Sequence, residues 1–466
     1  MKGSDKTRQN YLQVLIPVCA SNFFLLTAYV NGLYTTNEYG YSTFQNQLLP
    51  NRSIENTSEG SFCDSNTSSQ AYQDEQTVQE VVSRWGVYIS LAEGLPLLFS
   101  SLLLSSLSDS MGRKPFLFLG AIGVLTRQFL MTMAMVFEWN IYLFATFALI
   151  DGICGGWVIE IAISMAIIAD ITSAGKSRSF LIAVLSFVFG MGFSLGTFVS
   201  GYIVTEIGYE FSMAVSCGSA GLAIMIICFI QETVCKTQRK NRTFSCVGKL
   251  KEIIRLFIKD DSSSSSSTRF RFIAAILAFF FLMMAKLSTV AFEIFYLMGS
   301  PYCFSPEKIS VFETVRAVLS EIVILIGIKL MQRCLMDEII ALVGTISSVA
   351  LLVLYGIAPT DIYLYIAIAV GSFGMCAVPI LRAIMSKMTS PDKQGAVFGC
   401  IAVVENICNL CSGVIGGAIY SETVALYRGT AFFIFTGFVV MSGFLLLAMI
   451  KDSRKNKYRN DYTSIQ

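Results

Sequence analysis

Apolar residues along this chain come in blocks of about 20, each long enough to cross ~30 Å of hydrocarbon at 1.5 Å per residue. The blocks predict spans near 11–34, 82–107, 115–136, 141–169, 179–203 and 211–231. After a long polar interruption, six more follow near 270–297, 308–331, 338–356, 361–385, 395–420 and 428–450. The runs are continuous and do not alternate, so helices are expected: open sheets would leave unpaired backbone groups in lipid, and the dyad pattern of a membrane barrel is absent. The pattern predicts an all-α membrane protein with 12 transmembrane helices.

Composition agrees, since the chain is 54% hydrophobic and only 14% charged, with mean hydropathy +0.63, where soluble domains carry ~25% charged residues. The net charge of +2 gives no sign of nucleic-acid binding; what informs is where the cations lie. With a cytosolic N-terminus, Arg113 and Lys114, Lys176 and Arg178, the stretch from Lys236 to Arg271, Lys387 and Lys393, and the tail Lys451 to Arg459 all fall on the cytosolic side, as the positive-inside rule requires. The first span follows Lys2, Lys6 and Arg8 without a small-residue cleavage site and reads as a retained helix. The opposite side carries the acidic segment 35–81, with glycosylation sequons at Asn51, Asn56 and Asn66. A further sequon, Asn241, falls in the predicted cytosolic loop and is expected to stay empty.

Four regions follow: a six-helix bundle over 1–231, a linker over 232–269, a second bundle over 270–450 and a basic tail over 451–466. In the linker, Val247 to Lys259 segregates apolar and basic residues at helical spacing and is followed by a serine run, Ser262 to Ser267. This reads as an interfacial helix and a flexible connector, or alternatively as a merely soluble helix. The halves repeat one another: Thr172-Ser173-Ala174-Gly175-Lys176 ends the fourth helix, Thr389-Ser390-Pro391-Asp392-Lys393 ends the tenth, and Gly196 and Gly413 follow at the same offset. Two bundles related by an axis along the membrane normal are expected to show such a repeat.

Between the second and third spans stands Ser108-Asp109-Ser110-Met111-Gly112-Arg113-Lys114-Pro115. Glycine permits a tight turn there, and Asp109 and Arg113 can pair with each other, with Asp170 or with a neighbouring helix end. Such contacts, with Arg178 nearby, make a gating latch that holds one access state. The plainer alternative is that Arg113 and Lys114 only obey the positive-inside rule. The string resembles the signature at this position in major facilitator transporters, although Ser105 stands where the longer signature opens with glycine. The segment Arg382 to Phe398, the Asp109 to Lys114 string, Ala169-Asp170 with Arg178, and Tyr302-Cys303 narrow the resemblance to solute carrier family 46, which includes the proton-coupled folate transporter.

That resemblance implies the major facilitator fold of two pseudo-symmetric six-helix bundles and a disulfide between Cys63 and Cys303, which are the only two of 13 cysteines in predicted outer loops. It also implies transport roles for Arg382 and Asp151. Two positions depart from it: Ser186 stands where a glutamate is expected and Lys286 where a histidine is expected.

Charged residues inside spans are costly and therefore functional candidates: Glu93, Arg127, Asp151, Glu160, Lys286, Glu293, Glu313, Arg316, Glu321, Arg382 and Glu405. Glu313 and Arg316 are expected to pair along one face. Lys286 with Glu293, and Asp151 with Glu160, have spacings that put each pair on roughly one face of its helix; packing against another helix is the alternative. The chain has no histidine, so any proton coupling falls to buried carboxylates such as Asp151, Glu160, Glu293 or Glu405. Lys286 and Arg382 together favour an anionic solute.

No phosphate loop, metal cluster or histidine-based triad is present, so neither an enzyme nor a cofactor is expected. The leading reading is an alternating-access symporter of a small organic anion, folate- or pterin-like, with protons as the coupling ion. Muropeptide-like or lysosomal catabolites are an alternative cargo, and a non-transporting receptor or scaffold is a second alternative. The tail Tyr462-Thr463-Ser464-Ile465 fits an adaptor-binding sorting signal, leaving the plasma membrane and endolysosomal membranes both open.

Overall fold

The computed structural model describes residues 2–49, 70–234, 266–298, 301–304, 306–424 and 426–463, and every regular element among them is helical. In chain order these are α1 (Lys2–Leu48), α2 (Gln70–Met111), α3 (Lys114–Val136), α4 (Leu143–Ile171), α5 (Lys176–Glu206) and α6 (Tyr209–Phe229). Then come α7 (Ser266–Met298), α8 (306–334), α9 (Asp337–Ile357), α10 (Asp361–Lys387), α11 (Gln394–Thr423) and α12 (Thr430–Thr463). Several outrun the hydropathy blocks, α1 most of all at 47 residues, because helix continues past the apolar stretch where polar residues still form i to i+4 bonds.

Eleven of the helices are long and apolar enough to cross a membrane by themselves. The exception is α8, which carries Glu313, Arg316, Glu321 and Lys329 and is interrupted by a π-helical turn at Val323–Gly327. Large apolar side chains such as Phe99, Phe198 and Phe229 stand fully outward on α2, α5 and α6, as lipid-facing positions do.

The chain forms two compact units: residues 1–167, 188–240 and 298–305 make unit 1, and residues 168–187, 241–297 and 306–466 make unit 2. The ends of α4 and α5 thus pack with the second half of the chain. In unit 1, helices are held by polar bonds as well as by packing: Asn31 of α1 donates to the Ser212 carbonyl and to Ser216 Oγ of α6, at 2.8 and 2.7 Å. An aromatic core of Phe44, Trp85, Phe144 and Phe147 fills the end where α1, α2 and α4 meet. In unit 2, Phe292, Tyr296, Tyr355 and Phe432 form the corresponding aromatic core.

The repeat noted in sequence marks the ends of two irregular helices. α4 breaks at Gly155 and Gly156, whose φ values of 85° and 43° favour a residue without Cβ. α10 tightens to a 3-10 turn over Ser372–Cys376. The two repeat glycines pack differently: a Cβ on Gly196 would lie 2.9 Å from the Thr27 carbonyl of α1, whereas one on Gly413 would meet nothing. In α11 the close approach is made by Gly416, 2.6 Å from the Ser288 carbonyl of α7. The sequons at Asn51, Asn56, Asn66 and Asn241, Cys63, the 247–259 helix, Ser262 to Ser265 of the serine run and Ile465 lie outside the described residues, while Ser266 and Ser267 begin α7.

Candidate functional site

In unit 1, Arg127 of α3 lies between two carboxylates, 2.7 Å from Glu93 of α2 and 3.4 Å from Asp151 of α4. The Tyr29 hydroxyl of α1 donates to Glu93 at 2.8 Å, and its ring lies 5.3 Å from the guanidinium carbon. Small residues bring these groups together. A Cβ on Gly152 would sit 2.4 Å from the Glu93 carbonyl, and one on Gly123 would sit 3.0 Å from Asp151 Oδ1. All four polar side chains are buried. Asp151 Oδ1 has no hydrogen-bond partner.

The expectation that Asp151 and Glu160 share a face is corrected. The left-handed glycines between them reset the helix, so Asp151 joins Arg127 while Glu160 faces α1. There its Oε1 accepts the Ser21 hydroxyl at 3.4 Å, and Asn22 beside it donates to Ser164 Oγ at 2.6 Å.

Unit 2 holds a second set. Arg316 of α8 bonds Glu293 of α7 and Glu313 of its own helix, so the predicted Glu313–Arg316 pair forms and takes in a second acid. The Tyr355 ring of α9 packs at this end of the helices, against Phe312 and Phe432. Lys286 and Glu293 do not pair. Instead Lys286 has no carboxylate within 4.0 Å among the described residues, and the charges acting on it are those of Arg382, Glu321, Arg316 and Glu405. Arg382 of α10 bonds Glu405 of α11 and lies over the Phe279 ring of α7 at 5.9 Å. Lys286, Arg382 and Arg316 thus place three cations among Glu293, Glu313, Glu321 and Glu405, and Lys286 alone of the three has no salt-bridge partner. Ser186 merely donates back to the Ile182 carbonyl of α5.

The latch residues divide between the units. In unit 1, Arg113 pairs with Asp109 at 2.7 Å and donates to Ser108 Oγ at 2.7 Å, and Gly112 takes a φ of 110° to make the turn. Glu232, which follows α6, accepts the backbone N–H groups of Arg113 and Lys114 at 2.9 and 3.2 Å, a carboxylate at the positive end of α3. In unit 2, Arg178 donates to the carbonyls of Ala169 and Thr172 at 2.9 and 2.6 Å and to the Ser386 carbonyl at 3.3 Å, with the Asp170 charge acting on it. Cys303 is disulfide-bonded.

Glu232 was not a sequence candidate, because it lies outside every apolar span and carries no motif. Glu93 and Arg127 were in the list of costly intramembrane charges, but nothing in the sequence linked them to Asp151.

The Major Facilitator Superfamily model matches residues 87–333. The human lysosomal proton-coupled steroid conjugate and bile acid symporter is 25% identical over 426 residues, 91% of each chain. The bovine proton-coupled folate transporter is 24% identical over 380 residues, 81% of each. Both belong to the family the sequence motifs indicated. Among solved structures, a human organic anion transporter matches with a TM-score of 0.70 at 17% identity, covering 94% of this chain and 99% of that one. A proton:xylose symporter matches with a TM-score of 0.66 at 12% identity, covering 93% and 95%. At these identities the structural matches speak for the fold.

Proposed function

Because the chain belongs to the major facilitator superfamily, we propose that it is a proton-coupled symporter that carries a small organic anion by alternating access. The observation that carries the anion reading is Lys286, a cation inside an apolar helix with no carboxylate within 4.0 Å among the described residues. Such a charge is costly unless a ligand or a shared partner offsets it, and Arg382, already engaged by Glu405, adds to the positive field. Two cations on otherwise apolar helices suit a solute with an apolar body and an acid group. That chemistry fits the steroid conjugates and bile acids named for the human relative.

A folate- or pterin-like solute is the second reading, favoured by Arg382 in the family segment of α10 and by the bovine relative. Coupling falls to carboxylates, since the chain contains no histidine. The Asp109–Arg113 pair and the Arg178 cluster act as latches that stabilise one access state. The Cys63–Cys303 bridge and the glycans at Asn51, Asn56 and Asn66 belong to the same reading, and the lysosomal relative supports an endolysosomal membrane.

Uptake of labelled taurocholate and labelled folate into cells expressing the chain, at acidic and neutral external pH, tests the assignment. Saturable taurocholate uptake that rises on acidification and falls in Lys286→Gln and Arg382→Ala is expected. Uptake that both variants leave untouched would remove the site from the reading; cysteine accessibility from one face only would favour a non-transporting receptor.

A further inference from the structure

Among the intramembrane carboxylates, Glu160 differs from the rest. Glu93 and Asp151 share Arg127, Glu293 and Glu313 share Arg316, and Glu405 has Arg382, while Glu321 stands near Lys286. Among the described residues, Glu160 has no cation within 4.0 Å. It is 1% exposed, its Oε1 meets only the Ser21 hydroxyl at 3.4 Å, and its Oε2 has no partner. The one amide nearby is spent: Asn22 Nδ2 gives its two hydrogens to the Val18 carbonyl at 2.7 Å and to Ser164 Oγ at 2.6 Å. Asn22 Oδ1 is itself a buried acceptor without a donor.

Among the described residues, no other charge reaches this carboxyl. On α2 and α3, Glu93 and Arg127 are bound to each other, and on α4 itself Asp151 turns to Arg127 beyond the Gly155 break. On α1 the titratable residues flanking Ser21 in sequence are Cys19 and Tyr29, and the Tyr29 hydroxyl is bonded to Glu93. On α5 the contact with this stretch of α4 is aromatic, Phe193 against Trp157. Only burial and the Ser21 hydroxyl act on Glu160.

An ionised carboxylate is acceptor-only and needs donors or a cation, whereas a carboxylic acid carries its own O–H. We propose that Glu160 holds a proton in this conformation and is the group through which the coupled proton passes, in a pocket built by Ser21 and Asn22 of α1 and Ser164 of α4. The idea rests on the proton-coupled reading above and assigns its carrier. Release breaks the Oε2–H bond, sends the proton to water and leaves a carboxylate that this closed pocket does not accommodate. Deprotonation therefore requires α1 and α4 to part enough to admit water, which ties proton release to a change of access state.

Infrared difference spectra of the full-length protein in lipid vesicles test this without any solute. At neutral pH the wild type minus Glu160→Gln difference is expected to contain the C=O stretch of a protonated, buried carboxyl. Glu160→Asp, which keeps the acid, must shift that band and not abolish it, and serves if the glutamine variant fails to fold. A difference spectrum with no such band overturns the proposal. So does a thermal stabilisation by sodium over choline that wild type shows and Glu160→Gln loses, which would make the pocket a sodium site. In a second arm, an inward proton gradient is expected to drive labelled taurocholate into wild-type vesicles and to lose its effect on Glu160→Gln. If wild type moves no taurocholate, the solute reading fails, while the infrared band still decides Glu160.

Discussion

Arg127 in unit 1 and Arg316 in unit 2 each stand between two carboxylates, yet their settings differ. The side chains of Arg127, Glu93 and Asp151 are 2%, 9% and 0% exposed and come from three helices. Arg316 and Glu313 are 25% and 34% exposed, and their triad comes from two helices. The first set is sealed by glycines on α3 and α4 that let the backbones touch. A sealed triad resists exchange of partners, because each group would be left charged and alone in low dielectric. A partly open one can trade a carboxylate for water, a proton or a solute anion. The Arg127 set of unit 1 is therefore a strut, and the Arg316 set of unit 2 is the more open to exchange.

The strongest way to break the contrast is Arg127→Leu. It strands two buried acids, and a loss of about 3–5 kcal/mol is expected, enough to abolish a monodisperse peak in fluorescence size-exclusion of the detergent-solubilised protein. Arg316→Leu strands one buried acid, Glu293, while Glu313 stays partly exposed; it should cost less, roughly 2–3 kcal/mol, and should show its effect in transport. Equal losses in the two variants would erase the distinction. Next in size is Gly152→Ala: its Cβ would lie 2.4 Å from the Glu93 carbonyl, forcing α2 from α4 at an expected cost of about 1–3 kcal/mol in thermal unfolding. Lys286→Gln, by contrast, should leave unfolding nearly unchanged and raise the apparent KM for an anionic solute about tenfold, near 1.4 kcal/mol.

Which parts of this were legible in the sequence follows from the range of each signal. Continuous apolar runs encode lipid-crossing helices locally, so the helices stand where hydropathy places them. α8 is the informative exception: its Glu313, Arg316 and Glu321 depress hydropathy, while Arg316 bonds Glu293 of α7 and the Lys286 charge acts on Glu321, relations between helices that no window over one helix can detect. The Asp109–Arg113 pair was readable because its partners lie four apart. Asp151 with Glu160 was misread because helical spacing assumes an unbroken helix, and Gly155 with Gly156 breaks it. Glu93 with Arg127, 34 residues apart, is set only by how α2 and α3 pack.

The smallest effect concerns Glu232, a residue without a motif, and separates a local cap from a latch. Its carboxylate accepts two backbone N–H groups at the start of α3, directly beside the buried Asp109–Arg113 pair. Glu232→Gln keeps the shape but removes the charge from the positive helix end and leaves one acceptor where there were two. A cost of about 0.5–1 kcal/mol is expected. Hydrogen exchange should locate it: the amides of Arg113 and Lys114 lose several-fold protection, while those of α4 around Asp151 do not change. If protection were lost along α4 as well, the cap and the unit 1 strut would be one cooperative element, and the strut could no longer be treated as fixed while the turn beside it moves.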